Sequence, residues 1–192
     1  VLVFAAEIVG MGALLLVPLP IPAMIPLVIL ASIALELRGL GWSQIGLQGS
    51  APLRDSVSGL MLGVLVAGVL ALAFGRAGGS DFLLISGNAR ALIAALLVTL
   101  ALSAVSEMLF RAYVIASAVR VWGPSGARGG VLIGAVLSTI AMQPTTAVAA
   151  LASFVVALGY AAFFFASGRR LLLPITVHFA FDGYPIVLEY FG

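Results

Sequence analysis

The 192 residues are 63% apolar and only 8% charged, with a mean hydropathy of +1.27, against the roughly 25% charged residues of a soluble domain, so water is not the main solvent of this chain. Nine basic residues, every one an arginine, against seven acids leave a formal net charge of +2 scattered along the sequence, which argues against a nucleic-acid partner. The absence of cysteine excludes disulfides, thiolate metal sites and a cysteine nucleophile.

A bilayer core of ~30 Å takes about 20 helical residues per crossing. Apolar runs bounded by Arg, Gly and Pro predict seven spans, at about 1–17, 22–37, 56–75, 91–119, 129–146, 147–166 and 171–190. The expected fold class is therefore all-α, a polytopic transmembrane helical bundle forming one domain over residues 1–192. Pro18, Pro20 and Pro22 separate the first two spans, because proline lacks a donor N–H and disfavours helix in the residue before it. The polar, Gly-rich stretch 38–55 suits a membrane interface, with Trp42 as a headgroup anchor. In the fifth span Gly130 and Gly134 have the Gly-x-x-x-Gly spacing of closely packed helices, and ordinary bundle packing explains them.

Arginine counts orient the spans, since cytoplasmic loops retain positive charge. With the Pro-rich turn outside, Arg38, Arg54, Arg120, Arg128, Arg169 and Arg170 fall inside, and Arg76 and Arg90 outside. The expected location is a multi-pass protein in contact with membrane lipids.

Ionisable groups inside a span are costly unless paired or hydrated, so they mark where function is sought. Glu107 and Arg111 lie four apart and share a helix face, acid before base, and His178 and Asp182 repeat the spacing on the last span. At ~1.5 Å of rise per residue, Arg111 sits ~14 Å from Arg120 and His178 ~12 Å from Arg170. Glu107 at ~20 Å, Asp182 at ~18 Å and Gln143 at ~22 Å from Arg128 form a second polar layer by the same count. Such a pair also serves simply to neutralise itself and fix helix packing. Glu7, Glu36, Asp55, Asp81 and Glu189 are expected in loops or near span ends and solvated, and Ser103 and Ser106 are explained by back-bonding to helix carbonyls. A zinc site needs about three protein ligands. With one histidine and no cysteine, neither a metal nor a cofactor is expected.

The stretch Ser106-Glu107-Met108-Leu109-Phe110-Arg111-Ala112-Tyr113 resembles the Glu-Glu-x-x-Phe-Arg-Gly-Tyr motif of the CAAX protease and bacteriocin-processing (CPBP, or Abi) intramembrane proteases. Pro174-Ile-Thr-Val-His178-Phe-Ala-Phe-Asp182 is similar to the last motif of that family, and residues 38–47 to the loop before its catalytic half. The resemblance covers about residues 38–185 and implies a CPBP-type bundle in a bacterial cytoplasmic (inner) membrane.

In that family the first Glu and the His of a middle Phe-x-x-x-His motif are thought to activate water, while the last-motif His and Asn support the oxyanion. Here the first Glu position is Ser106, and the middle motif, placed on Thr139-Ile-Ala-Met-Gln143, ends in Gln143. Neither a serine hydroxyl nor a glutamine amide accepts a proton from water near neutral pH. Glu107 is a carboxylate but sits ~100° round the helix from position 106. The resemblance with these departures implies a non-catalytic homologue, a membrane subunit or scaffold for a membrane-protein partner. An active endopeptidase using Glu107, Arg111, His178 and Asp182 on a membrane-anchored peptide is the alternative. A transporter or proton path through the polar layer is the third reading.

Overall fold

The computed structural model describes residues 1–19, 21–47, 52–74 and 88–191, with the side chains of 70, 73 and 74 excepted. Pro20, Arg76 and Asp81, used in the sequence argument, lie outside them. The described elements are all helical: α1 (Leu2–Leu16), α2 (Met24–Leu37), a 3-10 turn (Trp42–Ile45), α3 (Pro52–Phe74), α4 (Ala89–Glu107), a π-helical turn (Met108–Tyr113), α5 (Val114–Trp122), α6 (Gly126–Ala141), α7 (Ala147–Ala166) and α8 (Leu172–Phe191). Since α4, the π turn and α5 are continuous, these make seven rods, in line with the all-α expectation.

The ends follow local chemistry. Pro52 opens α3, where its missing N–H costs nothing, so this helix starts four residues before the predicted span. Asn88 Oδ1 accepts from Arg90 N (3.1 Å) and Ala91 N (3.2 Å) and starts α4. Gly123 at φ 68 stops α5, with Pro124 behind it. Thr146 Oγ1 accepts from Ala149 N (3.1 Å) and starts α7.

Three described helices are long and apolar enough to cross a membrane: Pro52–Val69, Ala89–Trp122 and Ala147–Ala166. Leu2–Leu16, Met24–Leu37 and Gly126–Ala141 are shorter apolar helices. The 34 residues of Ala89–Trp122 reach about 50 Å at 1.5 Å per residue, more than the ~30 Å of hydrocarbon, so this rod tilts or projects beyond it. The outer faces are as apolar as the core. Ile29, Leu30 and Ile33 on α2, Leu65 and Val69 on α3, and Leu151 and Val155 on α7 are all exposed. In water such faces would aggregate, whereas lipid is their matching solvent.

The chain groups into two compact units, residues 1–48 with 105–171, and 49–104 with 172–192. In the first, Met11 and Leu15 of α1, Leu27, Ala31 and Leu35 of α2, Leu109, Phe110 and Tyr113 of the π turn, Val114 and Leu137 form one buried cluster. Gly126, Gly130 and Gly134 recur every fourth residue on α6. A Cβ at Gly134 would stand 2.2 Å from the Phe110 carbonyl oxygen, and one at Gly130 2.8 Å from Ile115 Cα. Only glycine lets α6 approach the π turn and α5 this closely, so the Gly-x-x-x-Gly pair is a packing device within the chain. Trp42 is half-buried and donates from Nε1 to Ser32 Oγ (3.0 Å), tying the interfacial turn to α2.

The second unit uses the same device. On α3, a Cβ at Gly63 would lie 2.5 Å from the Val177 carbonyl oxygen, and one at Gly59 would collide with Thr176 of α8. Thr176 Oγ1, which back-bonds to the Leu172 carbonyl oxygen (2.9 Å), also approaches the Asp55 carbonyl oxygen at 3.3 Å where α8 packs on α3.

Candidate functional site

Glu107 closes α4 and Arg111 lies one turn on, inside the π turn. A π turn adds a residue to a helical turn and is frequently found at functional sites. Arg111 Nε pairs with Glu107 Oε2 at 3.2 Å, and both side chains are at most 2% exposed. Arg111 Nη1 donates to Ser138 Oγ (3.4 Å) and Nη2 to the Ala157 carbonyl oxygen (3.1 Å). Its guanidinium carbon lies 5.3 Å from the centroid of the Tyr160 ring, a cation–π distance. Groups from α4, α6 and α7 thus hold one arginine of the π turn, whose charge is balanced by the carboxylate beside it.

Ser106 is buried at the first motif position. Gln143 lies beyond the end of its helix, whereas the predicted span 129–146 carried the helix through it. Helix α6 ends at Ala141, and Gln143 takes φ 46 in the following turn, because Pro144 disfavours the α-region in the residue before it. Its Nε2 reaches the Leu15 carbonyl oxygen at 3.5 Å. It borders an open pocket of about 1100 Å³ shared with Pro18, Leu19, Pro22 and Pro144. The α6 side chain that meets Arg111 is Ser138, which the sequence reading passed over. Its signal was the four-residue spacing after Gly126, Gly130 and Gly134, which puts it on the packed face.

His178 and Asp182 belong to the second unit. His178 Nε2 lies 3.1 Å from Asp182 Oδ2, with the two side chains 9% and 34% exposed. A histidine beside a carboxylate is the arrangement of a base with its orienting partner. Among the described residues no three His, Asp or Glu side chains converge where a metal ion would be held.

Three expectations about lesser residues change. Glu7 is not a solvated end group. Its Oε1 takes an ion pair from Arg38 Nη2, its Oε2 accepts from Tyr113 Oη (2.9 Å), and its side chain is 20% exposed. Arg38, just past the end of α2, is held above its ordinary pKa chiefly by that bond to Glu7, against the opposing effect of burial. Asp55, in the first turn of α3, is buried. Ser103 Oγ has no hydrogen-bond partner among the described residues, so back-bonding does not account for it. Nothing in the composition marked Glu7 as central, since its partners are 31 and 106 residues away.

Compared with known proteins, residues 88–184 match the model of the family described as type II CAAX prenyl endopeptidase Rce1-like. The match spans just over half of the chain and includes both polar pairs. No curated protein and no solved structure matches.

Proposed function

Because the chain belongs to the type II CAAX prenyl endopeptidase Rce1-like family, whose members are membrane-embedded, we propose that it is a non-catalytic member, a subunit or scaffold for another membrane protein. One observation carries this reading. Where the family places its first glutamate the chain has Ser106, and the adjacent Glu107 carboxylate is buried in an ion pair with Arg111. A general base contributes typically 10²–10⁴ in rate and must reach the proton it abstracts, and a fully buried carboxylate already paired with a guanidinium does not present itself to an attacking water. We place the chain in a bacterial cytoplasmic membrane, with seven spans and the arginine-rich loops inside. The test is purification from native membranes in mild detergent. A membrane-protein partner at fixed stoichiometry, retained by His178→Ala, is the expected result. A chain that purifies alone and cleaves peptide would overturn the reading.

The second reading is an active intramembrane endopeptidase in which Glu107, Arg111, His178 and Asp182 serve a membrane-anchored peptide. The His178–Asp182 contact at 3.1 Å favours it, because a histidine with an orienting carboxylate is suited to proton transfer.

A further inference from the structure

Where Phe4 of α1, Arg38 at the end of α2 and the last turns of α5 meet, a pocket of about 360 Å³ is lined by Arg38, Arg120, the Ser117 hydroxyl, Phe4 and Val121. No acidic side chain is among its lining residues. Arg38 is held in place. Nη2 is bound by Glu7, Nη1 donates to Ser117 Oγ at 3.2 Å, and the guanidinium carbon lies 5.8 Å from the centroid of the Tyr113 ring. A fixed fork loses little entropy when its remaining N–H groups take an anion. Arg120 is the second cation, exposed in the last turn of α5.

Charge and shape narrow the ligand. Glu7 neutralises one of the two guanidiniums, so the Arg38, Arg120 and Glu7 side chains together keep a single net positive charge, matching one phosphodiester. Phe4 and Val121 give it an apolar wall that a free phosphate ion does not use. Arg38 and Arg120 fall on the same side by the arginine count, at the level where lipid headgroups lie. We propose that this pocket binds the headgroup phosphate of an anionic phospholipid, its apolar wall meeting the glycerol and upper acyl chain. The site is independent of whether the chain cleaves peptides.

The experiment uses the full chain purified in neutral detergent, with thermal midpoint and lipid retention in native mass spectrometry as readouts. Short-chain phosphatidylglycerol is expected to raise the midpoint, and phosphatidylcholine or inorganic phosphate is not. Arg120→Gln, at an exposed position, should weaken the phosphatidylglycerol affinity about fivefold, the share of one arginine at a charged surface. Arg54→Gln, an exposed arginine outside the pocket, should leave it unchanged. The proposal is overturned if inorganic phosphate acts as well as the lipid. It is equally overturned if Arg54→Gln weakens binding as much as Arg120→Gln, or if Arg120→Gln elutes as a folded particle with wild-type affinity.

Discussion

The two polar pairs of this chain have the same spacing and different surroundings. Glu107 and Arg111 are sealed in the first unit, with Ser138, the Ala157 carbonyl and the Tyr160 ring around the guanidinium. In the second unit His178 faces an Asp182 side chain about one-third exposed. Four-residue spacing fixes only that two groups share a helix face. Whether the pair is a neutralised packing element or one that exchanges protons depends on what other helices bring to it. On that criterion the first pair is the fully enclosed one and the second the more accessible one.

The sharpest way to break this contrast is to remove one member of the sealed pair. Arg111→Met leaves Glu107 buried without its counter-charge and should cost about 3–5 kcal/mol, while the double variant Glu107→Gln/Arg111→Met should recover most of the loss. Thermal unfolding in detergent checks both, and a single variant as stable as wild type would end the claim that the pair is sealed. Next in size is Gly134→Ala, whose Cβ would meet the Phe110 carbonyl oxygen at 2.2 Å. Displacing the π turn should cost about 1–3 kcal/mol, read as a lowered thermal midpoint. Tyr113→Phe removes the bond to Glu7. It should cost about 1 kcal/mol, somewhat below the ~1.5–3 kcal/mol of a fully buried bond to a charged group, because Glu7 is one-fifth exposed. Asp182→Asn should be the mildest, under about 1 kcal/mol, because the asparagine Oδ1 still accepts from His178 Nε2 and the pair is not sealed.

Much of the bundle was legible because its boundaries are chemical. Pro18 and Pro22 separate α1 from α2, Gly123 and Pro124 close α5, and the Gly-x-x-x-Gly pair marks the contact face of α6. The π turn was not legible. Residues 108–113 contain no proline or glycine that would mark it, and the close approach of α6 at Gly134 to the Phe110 carbonyl is seen only in the fold. The fifth span was drawn through Gln143 to residue 146, whereas α6 stops at Ala141, a boundary that Pro144 signals and the apolar run around it conceals. Glu7 was misread because a lone acid near a span end resembles a solvated group until Arg38 and Tyr113 are brought to it by tertiary structure. The motif residues Glu107, Arg111, His178 and Asp182 were identified by type and spacing, whereas Ser138 carried only the weaker signal of its spacing after the α6 glycines, and Tyr160 became visible only once α7 was packed beside Arg111.

The most direct measurement is cleavage of a membrane-anchored peptide by the purified chain in liposomes, wild type against His178→Ala, with both confirmed as folded by size-exclusion profile. A non-catalytic member gives no product above the lipid-only control for either protein. Product formed by wild type and lost in His178→Ala would contradict the account and make the His178–Asp182 pair the working centre of an active endopeptidase.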